Sequence, residues 1–355
     1  LRPVSAVARG PAVGASLSAE PGSWDGGATL SYQWSVGGQP VPTATTASYT
    51  PVPADLDKTV TVQVTGSRPG YDSMARTSAP TAPVALGTFA SSPTPTIAGT
   101  PVFGGTVTAE AGSWDDGTGL TYQWFSGGEP VPGATGAGYS PTADDLGSTL
   151  AVRVTGTKAG YATTARTSAE SEAVAAAGLT LTPTPTIGGT PRFGETLAVE
   201  AGAWDDGVDL AYQWLVDGEP VVDATGVGFS PRASDVGGVV TVAVTGSMTG
   251  HESVTRTSEA TAPVSAARLE APRRPSIKGQ ARVGRTLVAR AGEWDDEVTL
   301  AYRWFAAGKV LARESGKRLE IGPALRGKRI KVKVTGSRPG YADTSVTSAL
   351  TRAVR

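Results

Sequence analysis

The sequence predicts an all-β protein built as four tandem antiparallel β-sandwiches, and three observations predict it. The chain repeats at an interval of ninety residues, its apolar residues alternate over short runs, and turn residues punctuate those runs about every 8–12 positions. Trp24, Trp114, Trp204 and Trp294 stand ninety apart, as do Trp34, Trp124, Trp214 and Trp304. Tyr32, Tyr122, Tyr212 and Tyr302 keep the interval, and so do the Val-Thr-Gly triplets ending at Gly66, Gly156, Gly246 and Gly336. Spacing without insertion means that the copies fold alike and are joined by segments of one length. The expected domains are therefore 1–87, 88–177, 178–267 and 268–355. The first is expected to be truncated at its N-terminus, and the whole to be a piece of something longer.

The second copy shows the elements in order. Thr106-Val107-Thr108-Ala109 alternates until Gly112 and Trp114 end it. Leu120-Thr121-Tyr122-Gln123-Trp124 alternates again, with Leu120, Tyr122 and Trp124 on one face, and Gly127-Gly128 turns the chain. Leu150, Val152 and Val154 point inward along a third run, Gly160-Tyr161 turns once more, and Ala162 to Val174 is expected to form a final edge strand. No helical period occurs. The joints near 85–93, 175–183 and 265–273 are rich in Ala, Thr, Gly and Pro, which predicts short, semi-rigid, extended connectors.

The run Tyr-Gln-Trp, then Gly-Glu-Pro-Val, then Asp145-Leu146-Gly147 before an alternating strand resembles an immunoglobulin-like domain. The fuller pattern adds Pro-Thr-Ile-x-Gly-Thr-Pro, Gly-x-Trp-Asp, Gly-Ala-Thr, Val-Thr-Gly and Gly-Tyr. It is similar to the tandem Ig-like repeats of actinobacterial secreted and cell-wall-associated proteins. The resemblance implies that Trp124 is the core tryptophan of the third strand and that Asp145-Leu146-Gly147 is the bend entering the sixth. One departure stands out. The chain has no cysteine, so the disulfide of antibody-type domains is absent, and aliphatic residues such as Leu197 and Val242 are expected in its place.

Composition excludes several chemistries. Without cysteine there is no thiolate metal site, iron–sulfur cluster or cysteine nucleophile, and the single histidine, His251, forbids multi-histidine metal centres. No apolar run approaches the ~20 residues of a membrane-spanning helix. No nucleophile elbow, phosphate loop or metalloprotease motif occurs, so an enzyme is not expected, and no cofactor. His251 stands where the other copies have Tyr71, Tyr161 and Tyr341, one ring replacing another in the Gly-Tyr turn.

Three groups of residues remain as candidates. The tryptophans resemble a sugar-stacking row, but Trp124 shares the parity of Leu120 and Tyr122 and belongs to the core. Trp114 follows a glycine at a strand end and is expected at the sandwich rim. The acidic pairs Asp115-Asp116, Asp205-Asp206 and Asp295-Asp296, with Asp25 alone in the first copy, are weak Ca²⁺ candidates. Calcium needs six to eight oxygens, and turn chemistry accounts for the pairs without it.

Charge is the third signal. Residues 1–267 carry 11 Lys+Arg and 24 Asp+Glu, net -13, whereas residues 268–355 carry 20 and 8, net +12. Arg313, Lys317 and Arg318 replace the Gly-Ala-Thr loop, Arg326 and Lys328 follow, and Arg329, Lys331 and Lys333 alternate with Ile330, Val332 and Val334. A focused positive surface attracts polyanions in a salt-dependent way. The partners expected are an anionic cell-wall polymer or surface glycan, along with adjacent domains of a parent protein. Nucleic acid is disfavoured because interleaved aromatics are missing. Capping of the array by a charged terminal copy is the alternative explanation.

The expected function is a non-catalytic extracellular stalk, spacer or adhesion region of an exported bacterial protein, secreted or attached to the cell surface. At a strand rise of ~3.3 Å per residue, each copy would span about 30–40 Å and four would reach roughly 120–160 Å. The alternatives are a glycan- or protein-binding array, or the accessory tail of a secreted enzyme such as a glycoside hydrolase.

Overall fold

The computed structural model describes residues 5–7 and 10–355. The chain divides into two compact units, Leu1–Ala177 and Gly178–Arg355. This division is coarser than four domains, but each unit holds two pairs of sheets, one pair for each ninety-residue copy. The architecture is an all-β, immunoglobulin-like arrangement. Among the described residues the only helical pieces are 3₁₀ turns of three residues, such as Ala143–Asp145.

In the second copy, Thr96–Ala98, Val107–Glu110 and Gly138–Tyr139 form a three-stranded antiparallel sheet. Glu129–Pro130, Gly119–Ser126, Leu150–Thr157 and Thr164–Thr167 form a four-stranded one, in that order. Tyr122 pairs with Val154 and Trp124 with Val152, so the inward parity of one strand meets the inward parity of the next. Val107 and Ala109 from the smaller sheet close on Trp124, Leu150 and Val152 from the larger. The other copies have equivalent clusters around Trp34, Trp214 and Trp304.

These four tryptophans have no exposed surface. Each indole Nε1 donates to a carbonyl twelve residues on, for example Trp124 to Gly136 at 2.9 Å, so its one polar atom is satisfied. Tyr49, Tyr139 and Phe229 stack on the first three rings at 5.9, 5.6 and 5.5 Å between centroids, and in the fourth copy Leu319 belongs to the Trp304 cluster. Burying 150–250 Å² per indole contributes about 4–6 kcal/mol of transfer free energy. Leu197 and Val242 are both fully buried in one cluster, occupying the inter-sheet space with aliphatic volume.

The turns follow from backbone chemistry. Gly127 and Gly128 both have positive φ, 55° and 87°, as a two-residue hairpin of this hand requires. Gln123 braces that hairpin, its amide donating to the Trp124 and Val131 carbonyls at 2.9 and 2.8 Å. Gln33 and Gln213 do the same in their copies.

The final run of each copy departs from the expected single edge strand. Thr164–Thr167 pairs with the strand Leu150–Thr157, after which the ladder is taken over by side chains. Ser168 Oγ accepts from the Val152 amide and Ser171 Oγ from the Leu150 amide, each at 3.0 Å. The chain then runs parallel to the copy's own opening segment, with Val102 beside Ala175. Hydroxyls standing in for strand carbonyls explain why this run is rich in Ser and Thr.

Candidate functional site

The joint between the first two copies lies inside the first unit, and it is a built interface. Gly87 donates to the Gly160 carbonyl and accepts from the Ala162 amide, both at 2.9 Å, so the segment leaving copy one lies parallel to the Gly-Tyr turn of copy two. Tyr161 packs onto Val13, Gly14 and Gly87 of the first copy, and a Cβ on Gly14 would collide with its hydroxyl. Phe89 sits between two rings of the second copy. It is edge-on to Trp114 at 5.4 Å and tilted against Tyr161 at 5.6 Å.

The following residues are held by an acid and an arginine. Both Asp115 oxygens accept backbone amides, from Ser91 at 2.8 Å and Ala90 at 2.9 Å. Those two amides hold its carboxyl below the usual carboxylate range. Arg166 donates to the Ser92 carbonyl and hydroxyl at 3.0 and 3.1 Å. The third copy repeats the clamp on its own incoming segment. Asp205 takes the Thr180 hydroxyl and the Thr180 and Leu181 amides, which depress its pKa, while Arg256 donates to Thr182.

The joint between the third and fourth copies lies within the second unit and uses the same knob with different fastenings. Ala267–Arg268 pairs in parallel with Tyr341–Ala342, and Tyr341 meets Phe193 edge-on at 5.4 Å. Leu269 is buried, and Thr344 donates to its carbonyl at 2.8 Å. The connectors are therefore fixed by side chains of the neighbouring copy. Their stiffness comes from these contacts as well as from proline, and Gly160-Tyr161 is both a turn and the knob of a joint.

The acidic pairs take positions that differ from a metal cage. Asp115 and Asp205 are engaged by joint donors, whereas Asp116, Asp206, Asp295 and Asp296 are exposed. Among the described residues no group of three or more His, Asp or Glu side chains is gathered as metal ligands. A groove of about 650 Å³ at one end of the second copy contains Glu129, Tyr139, Asp144 and Asp145. Burial pushes the Asp145 carboxyl up, but donation from the Tyr139 hydroxyl at 2.6 Å and the Thr142 amide at 2.8 Å outweighs it and lowers the pKa. The same burial and pairing push the Tyr139 hydroxyl up to about 12. This pair secures the bend into Leu150–Thr157, and among the described residues no buried side-chain polar atom lacks a partner.

The cations of the fourth copy are spread over two faces. Lys331 and Lys333 lie on the outer face of the four-stranded sheet, where Lys333 pairs with Arg303 and Lys331 with Phe305. Lys331 Nζ stands 5.5 Å above the Phe305 ring. Arg303 was missed from the sequence, although it replaces the hairpin-bracing Gln33, Gln123 and Gln213 of the other copies. Arg318 belongs to the other sheet, where it and Lys278 flank Val288 on neighbouring strands. Arg313 and Lys317 are in the exposed loop before it. Arg326, Lys328 and Arg329 are exposed around the bend that enters the strand Ile330–Ser337. Among the described residues the one ion pair joins Arg338 to Glu297 at 2.8 Å.

No family model and no curated protein matches the chain. Solved structures similar to it are tandem Ig-like or adhesin repeat domains. One is a Ca²⁺-stabilized adhesin that helps an Antarctic bacterium reach out and bind ice, at 17% identity over 96% of this chain and 94% of that chain, with a TM-score of 0.37. Another is a tetra-tandem repeat from the extending region of a large adhesion protein, at 13% identity over 98% of each chain and a TM-score of 0.33. The ICAM-5 D1–D4 ectodomain fragment gives 12% identity over 99% of this chain and 100% of that chain, with a TM-score of 0.34. Among the described residues no helix is long and apolar enough to cross a membrane.

Proposed function

We propose that the chain is a non-catalytic stalk or spacer of an exported bacterial surface protein, with four domains bounded near residues 87, 177 and 267. The observation that carries the reading is the joint. Tyr161 packs its ring against Gly14 and Gly87 of the first copy, Gly87 exchanges backbone bonds with Gly160 and Ala162 of the second, and Asp115 holds the next amides of the connector. Connectors fastened in this way resist bending, which is the property a spacer needs. The kinship with actinobacterial wall-associated repeats and the extracellular location belong to this proposal. Small-angle scattering from the full chain tests it. The expected maximum dimension is on the order of 120 Å or more, from four copies built on strands of ~3.3 Å rise per residue. A profile of a compact globule of equal mass refutes it.

A second role is supported by one specific arrangement. Arg303, Lys331 and Lys333 share a sheet face beside Phe305, on positions that the third copy fills with Gln213, Thr241 and Ala243. We propose that this face docks on an anionic envelope polymer. Retention on purified cell wall at low salt, lost at high salt, is the expected behaviour.

A further inference from the structure

On the outer face of the four-stranded sheet in the fourth copy, cations stand beside cations. Arg329, Lys331 and Lys333 take alternate positions, and on the neighbouring strand Arg303 stands directly opposite Lys333, with Phe305 opposite Lys331. Like charges directly opposite one another weaken a sheet. The other copies avoid that pairing, with Gln33 opposite Gln63, Gln123 opposite Arg153 and Gln213 opposite Ala243. Their glutamines brace the following hairpin, whereas Arg303 makes no such bond among the described residues and is exposed. No ion pair relieves the row, because among the described residues the one ion pair is Arg338 with Glu297. Arg303 and Lys333 line a groove of about 600 Å³ together with Leu311, Glu314, Ser315 and Thr335. Glu314, half-buried, is the one carboxylate among its lining residues.

We propose that this row binds a polymer of short polyols joined by single phosphodiesters, with one anionic phosphate for each hydroxyl-bearing linker. The assignment rests on the docking of this face proposed above and names its ligand. Cations at alternate positions of a strand are about 6.7 Å apart, at a rise of ~3.3 Å per residue. A three-carbon linker puts six bonds of about 1.5 Å between successive phosphorus atoms, which extend to roughly 7 Å. Consecutive phosphates therefore meet consecutive cations of the row. Arg303, beside Lys333, adds the planar fork that bonds two oxygens of one phosphate. Glu314 repels a second anion from the groove and accepts from linker hydroxyls. Inorganic polyphosphate packs its charges more closely, has no hydroxyl linkers and meets that repulsion. An acidic glycan turns successive carboxylates to different sides of its chain, out of step with the row. Single-stranded nucleic acid spaces its phosphates comparably but needs ring faces for its bases, and Phe305 is already covered by Lys331 Nζ at 5.5 Å.

The test uses the full chain and a dye-labelled, 1,3-linked glycerol phosphate hexamer, with binding read by fluorescence anisotropy. The competitors are the unlabelled hexamer, inorganic polyphosphate and oligogalacturonate of the same charge, and hexathymidylate. The unlabelled hexamer is expected to displace the probe at a concentration at least tenfold below that of any other competitor. Arg303→Gln with Lys333→Ala installs the pair that the third copy carries, so an unchanged urea midpoint is expected alongside at least tenfold weaker probe binding. Glu314→Gln is expected to improve displacement by polyphosphate and so to narrow the preference. Retention on purified cell wall is measured with the same protein. Retention combined with equal displacement by all four competitors, or with no binding of the hexamer, overturns this ligand and leaves the docking of the face standing. Absence of both retention and hexamer binding overturns both. Tighter binding of hexathymidylate assigns the face to single-stranded nucleic acid, and undiminished probe binding by the double variant places the polymer on another surface; either result overturns the proposal.

Discussion

The Trp114 indole lies against Gly156 so closely that a Cβ added there would overlap the ring. The same contact joins Trp24 to Gly66, Trp204 to Gly246 and Trp294 to Gly336, so each Val-Thr-Gly triplet exists to seat the first tryptophan of its copy. Gly156 is in a strand with ordinary backbone angles, so alanine there would otherwise help by restricting the unfolded chain. Overlap with the ring reverses that sign. Gly156→Ala is expected to destabilise the protein by roughly 1–3 kcal/mol in denaturant unfolding. In a Trp114→Ala background the same change is expected to become neutral or stabilising, a coupling that a double-mutant cycle reads directly.

Asp205 gives a pH prediction for the joint. Its folded pKa is depressed below 3.8 by the Thr180 hydroxyl and the Thr180 and Leu181 amides. A depressed carboxyl contributes stability that is complete above its unfolded pKa and is lost as pH falls through the folded value. The Thr180 and Leu181 amide resonances are expected to hold steady from pH 6 to about 4, then move with a midpoint below the reference carboxylate value of ~3.9. Asp205→Asn is expected to remove that inflection. A midpoint at or above the ordinary value contradicts the clamp.

The alternation of Leu120, Tyr122 and Trp124 announced a buried strand face, and the burial of Trp124 followed from its parity alone. The same logic placed Ile330, Val332 and Val334 inside, where none has exposed surface. The joint was illegible for a physical reason. Asp115 accepts amides 24 and 25 residues earlier, and Arg166 reaches 74 residues back. Such contacts leave no local period, and an Asp-Asp pair in a turn looks the same whether or not a carboxylate has a distant donor. A signal was present nonetheless: Phe89, Leu179 and Leu269 put a large apolar residue at the same position of all three connectors, whereas Leu86 and Leu181 each occur in one connector only. Arg303 escaped notice because a single charge in Tyr-Arg-Trp shows its neighbours only when the register places it beside Lys333.

Ala307 stands at the first position of the hairpin turn that Gly37 and Gly127 occupy elsewhere, with φ of 46°. Alanine pays a steric penalty in that region, because its Cβ meets the carbonyl, whereas glycine does not. Asp217, also at positive φ in the third copy, gains a compensating bond from the Val239 amide at 2.9 Å, which a methyl group cannot make. Ala307→Gly is therefore expected to stabilise the fourth copy by about 0.5–1 kcal/mol, read as a raised midpoint in urea with an unchanged slope. Loss of stability would mean that the turn is not strained by its side chain.

Tyr341 fastens the connector between the third and fourth copies by its ring on Phe193 and its backbone beside Ala267. It does not belong to the Trp304 cluster. Tyr341→Ala is expected to leave the unfolding of the fourth copy within about 1 kcal/mol, the scale of one aromatic pair. Cleavage within residues 267–273 by a broad-specificity protease is expected to accelerate, because an opened connector presents its backbone. Unchanged cleavage would assign the stiffness of this joint to Leu269 and the Thr344 bond alone.

The basic face of the fourth copy is tested by giving it the residues of the third. Arg303→Gln, Lys331→Thr and Lys333→Ala install side chains that an equivalent sheet already carries at paired positions, so the fold is expected to survive. Removing three neighbouring cations lowers the local potential, whereas Lys278, Arg290 and Arg318 on the opposite sheet are untouched. Retention on purified cell wall at low ionic strength is expected to fall at least tenfold in the triple variant and to lose most of its salt dependence. A matched variant of Lys278, Arg290 and Arg318 is expected to bind nearly as well as the unaltered chain. Equal losses from the two faces would mean that net charge rather than this surface governs attachment, which is the behaviour of a charged cap.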